Sequence, residues 1–170
     1  TIAKASVDKM LAMGSECDFA RDVASMYPLH VVMELLGVPE SDEPLMLKLT
    51  QELFGGQDPD LNRTRAVQMS AEEATKIMAQ TVADFNAYFE AMAQDRRANP
   101  RPDLATIIAT GMIDGAPIPD YESAGYYTIV ATAGHDTTSA STAGAMWAVA
   151  QDPEQFAKVK ADRTLLPGLI

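Results

Sequence analysis

Cysteine and positive charge are both scarce in this chain, and each scarcity closes off a class of function. A single cysteine, Cys17, among 170 residues rules out an internal disulfide framework and most thiolate-rich metal sites, and it points to a reducing compartment. Lysine and arginine number 13 against 24 aspartates and glutamates, so the formal net charge of −11 repels nucleic-acid phosphates unless a local basic patch overrides it. Arg96 and Arg97, with Arg101 nearby, form the only basic cluster, and it is too small for that. The opening residues "TIAKASVDKMLAM" lack the apolar core of a signal peptide and do not begin with Met, so the chain is expected to be an internal piece of a longer product.

What remains is the composition of a globular domain, 47% hydrophobic and 22% charged, with enough length to bury a core. The periodicity is helical almost throughout. Ile2 to Met13 should be a helix with Ile2, Val7, Met10, Leu11 and Met13 on one side, stopped by Gly14 and followed by "ECDFA" as a short extended piece. "ARDVASMYPLHVVMELLGVP" repeats apolar residues at three- and four-residue intervals until Gly37 and Pro39, and Pro28 inside it should kink the helix or begin a new turn. "EPLMLKLTQELF" reads as a short helix and "GGQDPDLNRTR" as a loop. Ser70, with Glu73 in the capping-box position, opens a long helix to Asn99 whose buried face should carry Ile77, Met78, Val82, Phe85, Tyr88, Phe89 and Met92. A short helix, "DLATIIATG", and a hairpin turning at Asp114 and Gly115 come next. The longest helix should run from near Pro119 to near Asp152, roughly 50 Å at about 1.5 Å per residue. Asp152 then caps a final helix, "PEQFAKVKAD".

Between Ala124 and Ala150 the only acidic or basic side chains are His135 and Asp136, so this long helix is expected to be surrounded by protein on most sides. Its serines and threonines, and an acid at mid-span, argue against a membrane span. Inside it, "ATAGHDTTSAST" breaks local rules: Gly134 costs about 1 kcal/mol against alanine in a helix, and the threonines lose side-chain freedom. A break of this kind in an otherwise consistent helix is where function is expected. Gly134 allows a close approach to the backbone, while the Thr137 and Thr138 hydroxyls can bond carbonyls a turn earlier or an inserted water, opening the hydrogen-bond ladder. Asp136 then sits at the mouth of a polar notch. The residues alone equally allow a core helix whose hydroxyls satisfy themselves and whose Asp136 pairs with an arginine.

"AGHDTT", Ala133 to Thr138, is similar at every specified position to (Ala/Gly)-Gly-x-(Asp/Glu)-Thr-(Thr/Ser), the signature of the cytochrome P450 haem-thiolate monooxygenases. The flanks agree in order: "CDFARDVASMYPLHVVMELLGVPESD", "DLATIIATGMIDGAPI", "DPEQFAKVKAD" and "LLPGLI" resemble successive stretches of that family before and after its long central helix. The resemblance implies a mainly α fold, the helical central part of the P450 architecture with a long central helix and one small β-hairpin. Residues 1–170 would form a single partial domain, without the family's amino-terminal sheet region, its Glu-x-x-Arg or its Phe-x-x-Gly-x-x-x-Cys-x-Gly loop.

By the same resemblance the parent protein is a cytoplasmic monooxygenase that binds haem, activates O₂ and hydroxylates a small apolar substrate, for which a terpenoid is one candidate. Electrons would come from NAD(P)H through a reductase and a ferredoxin, with no nucleic-acid or membrane partner. The haem thiolate would come from outside these residues, leaving the chain alone inactive. Thr137 would be the alcohol that holds a water beside the bound oxygen, and Asp136 the acid that resupplies protons. Ala133 and Gly134 would leave room for O₂, with Thr138 beside them toward the cofactor. Ile129 and Thr132, one turn earlier on the same face as Ala133 and Asp136, are candidates for contact with haem or substrate. The segment "EPLMLKLTQELFGGQ" and the loop after it resemble the family's lid over the substrate.

His135 and Asp136 point about 100° apart on a helix and do not jointly clasp an ion, so His135 is expected at the surface or behind the pair, and no metal ligand is assigned. Cys17 lacks the glycines and upstream phenylalanine of the ligand loop and should be a packed or partly exposed free thiol. A different class of function, a helical ligand-binding or regulatory module without redox chemistry, fits the same scaffold. Metal-dependent hydrolysis on His135 and Asp136 lacks further clustered ligands.

Overall fold

The structure, a computed structural model, describes residues 1–54 and 70–168. It divides into two compact units, Leu29–His135 and Thr1–Pro28 together with Asp136–Ile170. The expected "GGQDPDLNRTR" loop, and with it most of the lid-like segment beyond Phe54, lies outside the described residues.

In the Leu29–His135 unit the apolar spacing of the sequence becomes a helical core. Helix α2 (Met26–Leu36) buries Leu29, Met33 and Leu36 completely and closes on Gly37, whose φ of +80° lets its amide donate to the Met33 carbonyl at 2.9 Å. Helix α3 (Glu43–Phe54) spans the residues read from the sequence. Helix α4 (Ala71–Ala98) starts on the expected capping box: the Glu73 amide donates to Ser70 Oγ at 3.2 Å, and the Ser70 amide donates to the Glu73 carboxylate at 2.9 Å.

The buried face of α4 carries Thr81, Phe85, Phe89, Met92, Ala93 and Arg96. It departs from the expected stripe at its start, where Met78 and Val82 are each 42% exposed and Thr81 turns inward instead. Thr81 tolerates burial because its hydroxyl donates to the Ile77 carbonyl at 3.0 Å and lies 3.2 Å from the Glu52 carboxylate of α3. Phe89 is the hub of the core. Its ring stacks on Phe85 at 6.0 Å and on Tyr127 at 5.1 Å and meets Tyr88 edge-on at 5.4 Å. Helices α5 (Leu104–Ala109) and α6 (Asp120–Ala133) pack on α4, and the Tyr127 hydroxyl of α6 donates to the Ala105 carbonyl at 2.6 Å.

Where α4 ends, Arg96 is only 3% exposed. Its Nε donates to Asp103 at 2.7 Å, one Nη donates to the Gly37 carbonyl at 2.9 Å, and the other donates to Asp95 at 2.5 Å. Strands β1 (Met112–Ile113) and β2 (Ala116–Pro117) form the expected antiparallel hairpin. Both turn residues are left-handed, Asp114 at φ 52° and Gly115 at φ 80°, as a tight primed turn requires.

In the other unit, helix α1 (Ile2–Ala12) is capped by Thr1; Ile2 and Met10 are half-buried, and the helix touches residues 19–24, but Val7 and Leu11 remain exposed, so its apolar side is only partly covered among the described residues. The expected extended piece stops at Asp18, whose carboxylate accepts the Arg21 amide at 3.0 Å and caps a π-helical segment, Phe19–Ala24. Pro28 falls in the first turn of α2, where a missing amide costs nothing. Helix α7 (Asp136–Gln151) packs on Phe19–Ala24 and on α8 (Pro153–Ala161), which Asp152 caps by accepting the Gln155 amide at 3.0 Å. A short 3₁₀ stretch, Arg163–Gly168, follows.

The stretch read as one helix from Pro119 to Asp152 is two, α6 and α7, separated by Gly134 and His135. The ladder opens there, and the His135 amide turns to the Thr132 carbonyl at 3.2 Å. The expected cover over this region is also absent from α7. None of its residues is buried and Trp147 is 68% exposed, because within its unit it meets only the Phe19–Ala24 segment and α8 as extended partners among the described residues.

Candidate functional site

The last turns of α6 belong to the Leu29–His135 unit and carry half of the motif. Thr132 is buried, and its hydroxyl donates back to the Thr128 carbonyl at 2.7 Å, as threonine does inside a helix. Ile129, at 63% exposure, and Ala133 face outward, so the face expected to join Ile129 to Thr132 is split between solvent and core. Gly134 does permit a close approach, and in this unit the approaching group is Val32 of α2: a Cβ on Gly134 would lie 2.7 Å from Val32 Cγ2. His135 takes the inner of its two expected positions, at 2% exposure.

The Gly134–Val32 contact makes a prediction. Alanine at position 134 should overpack this site, destabilising the chain by about 1–2 kcal/mol once the smaller entropy of the unfolded alanine chain is counted. In a Val32→Ala background the same change should cost nothing, because the added methyl fills the vacated space. Urea midpoints of the four proteins of this cycle measure the coupling, and additive effects would show that the two side chains do not meet.

The other half of the motif lies on α7. Asp136 stands exposed in the first turn, where the helix dipole favours a carboxylate, and among the described residues no arginine pairs with it. Thr137 and Thr138 line an apolar groove of about 640 Å³. With Ser141 and Thr142 they place four hydroxyls toward one end, while Ala145, Met146 and Val149 continue the same helical stripe. Phe156 and Val159 of α8, with Phe19 and Leu166, complete the walls. Sequence reasoning passed over Ser141 and Thr142, although their spacing of four from Thr137 and Thr138 was the signal. Ala133 and Gly134 thus end one unit and Asp136, Thr137 and Thr138 begin the other, joined through the chain at His135. Cys17 is a free, exposed thiol outside the groove lining, and no group of three His, Cys, Asp or Glu side chains is placed to hold a metal ion among the described residues.

The chain resembles characterised proteins over nearly its whole length. Over 169 residues, 99% of its length, the chain is 48% identical to Cytochrome P450-terp of a Pseudomonas species. The crystal structure of CYP108D1 from Novosphingobium aromaticivorans matches 99% of the chain at 52% identity with a TM-score of 0.79. This chain belongs to the cytochrome P450 family. A more distant relative, the Steroid C26-monooxygenase of Mycolicibacterium smegmatis, is 32% identical over 146 residues, 86% of the chain. No protein-family model matches. The chain spans 40% of the length of Cytochrome P450-terp, 37% of CYP108D1 and 31% of the steroid enzyme. The mainly α P450 architecture with its small hairpin, expected from the motif and its flanks, is the one the structure has. No described helix is long and apolar enough to cross a membrane.

Proposed function

We propose that these residues are the oxygen-side helical region of a haem-dependent monooxygenase, with Thr137 and Asp136 handling protons and the α7 groove facing the cofactor. The observation that carries this reading is the placement of Thr137 and Thr138 at the hydroxyl-rich end of an apolar groove. The groove's chemistry fits one face of haem: Ala145, Met146 and Val149 offer an apolar wall to a flat macrocycle, and Thr137 and Thr138 offer hydroxyls at its edge. The thiolate ligand comes from elsewhere, since the sole cysteine is exposed and outside the lining.

When bound, haem supplies oxygen activation, favoured by electron density pushed from a thiolate ligand. The chain's own residues manage protons and water. Thr137 holds a water and donates a hydrogen bond into the groove. Asp136, exposed at the start of α7, exchanges protons with solvent and passes them one residue along. The apolar walls keep other water out. In the Leu29–His135 unit, Ile129 and the small Ala133 stand exposed and remain candidates for contact with substrate, whereas Thr132 is buried with its hydroxyl on Thr128 and Gly134 packs on Val32, which gives both a role inside the scaffold. The substrate is small and apolar, a terpenoid being one candidate, and electrons arrive from NAD(P)H through a reductase and a ferredoxin.

A chimera tests the reading: the matching segment of Cytochrome P450-terp is replaced by this chain. The chimera should bind haem and give the absorption band of a thiolate-bound ferrous–CO complex, whereas the 170-residue chain alone should not. A well-folded chimera that takes up no haem would remove the proposal. A thiolate band from the chain alone would show instead that Cys17 is the ligand.

A further inference from the structure

A separate cavity of about 230 Å³ opens between α4 and α6, wholly within the Leu29–His135 unit. Phe89 and Tyr127, stacked and fully buried, back it, and the small side chains of Ala93 and Ala124 leave it room. At its edge Arg97 pairs with Asp120 at 2.8 Å, and Arg97 Nε is already committed to the Ala109 carbonyl at 3.0 Å. The wall also contains Ser123, which is 2% exposed and whose hydroxyl has no hydrogen-bond partner among the described residues.

A buried hydroxyl left unpaired is costly and uncommon in folded proteins, so its place in a cavity wall calls for a polar group inside the cavity. Size and charge narrow the class. An apolar cavity of roughly 150 Å³ in another protein accommodates benzene, so this one has space for a single ring with a substituent. Arg97 and Asp120 neutralise each other at the edge, which leaves no unpaired cation to attract an anion; Glu90 also borders the cavity but stands exposed to water, where its charge is screened, and the aromatic backing favours a ring.

We propose that this cavity binds a neutral monocyclic alcohol or phenol, its ring against the Phe89–Tyr127 backing and its hydroxyl paired with Ser123. The site is independent of the α7 groove and of the haem reading.

Phenol, toluene and benzylammonium serve as probes, with binding to the intact 170-residue chain followed by NMR titration. Phenol should bind saturably, with amide shifts confined to residues 86–97 and 120–127. Toluene, of similar size without the hydroxyl, should bind about five- to tenfold more weakly, the worth of one hydrogen bond. Ser123→Ala should keep toluene binding and erase the preference for phenol, while Ala124→Leu should fill the cavity and abolish both; circular dichroism confirms that each variant is folded. A cavity that holds only water would show no saturable phenol binding, which overturns the proposal. So would an undiminished phenol preference in Ser123→Ala, shifts centred on α7, or tighter binding of benzylammonium than of phenol.

Discussion

Asparagine in place of Asp136 is expected to slow substrate oxidation by the Cytochrome P450-terp chimera by about 10²- to 10⁴-fold, the contribution of a positioned proton donor. Asparagine keeps the size of the side chain and its place in the first turn of α7 but cannot carry a proton from solvent. Because Asp136 is exposed and pairs with no described arginine, the change should leave folding and the thiolate–CO band intact. Alanine at Thr137 should act differently. Without the hydroxyl that holds a water in the groove, the chimera should still consume NAD(P)H while the yield of oxygenated product per NAD(P)H drops and hydrogen peroxide rises. Parallel measurement of NAD(P)H, peroxide and product separates the two roles. Wild-type rate and yield in both variants would deny any proton-handling role to the motif.

Arg96→Ala should destabilise the chain by about 3–5 kcal/mol, the cost of removing one partner from a buried ion pair. Arg96 joins the end of α4 to Asp103, which caps α5, and to the carbonyl of Gly37 at the end of α2. Without the guanidinium, Asp103 stays buried at 8% side-chain exposure with no counter-charge, held only by its hydrogen bonds from Thr106. Gly37 packs so closely on Asp103 that a Cβ there would overlap the carboxylate, so the end of α2 and the start of α5 share this corner. Lysine should rescue little, since it lacks the planar fork that reaches Asp103 and Gly37 together. Urea unfolding measures the loss, and a change under 1 kcal/mol would refute the clamp.

The same clamp sets an acid limit. Burial pushes the Asp103 carboxyl up, but the Thr106 amide and hydroxyl and the Arg96 guanidinium outweigh it and hold the carboxyl below its ordinary value of 3.8. A depressed carboxylate stabilises the fold fully above that ordinary value, and the contribution is lost as pH falls through the lower folded-state value. Stability should therefore decline below about pH 4, and Asp103→Asn should flatten that part of the profile.

Much of the fold was legible because its signals are local. The Ser70–Glu73 box, the Asp114–Gly115 turn, the Gly37 stop and the Asp152 cap each need only a few adjacent residues, and each appears where the sequence placed it. What was misread depends on partners distant in sequence. Thr81 displaces Val82 from the core because Glu52, on another helix, lies within reach of its hydroxyl. The close approach at Gly134 comes from Val32, about a hundred residues earlier, which no helical periodicity reveals. Periodicity also marks which side of α7 is apolar without saying which segment covers it, so its exposure was not foreseen. The motif is legible in residue identity, and the fold divides it between two helices; Ser141 and Thr142 follow Thr137 and Thr138 at a spacing of four, so helical periodicity already places them on the same stripe.

The Arg96 cluster also sets an order of assembly. Its bond to Asp103 spans 7 residues and its bond to Gly37 spans 59. Closing the shorter loop costs less chain entropy, so the corner between α4 and α5 can form while the rest of the chain is still searching. The contact to the end of α2 closes a far longer loop, and the guanidinium that donates to the Gly37 carbonyl is then already oriented by Asp103. Folding would then proceed from the carboxyl-terminal end of α4 backward, with the long-range contact as its later, slower step.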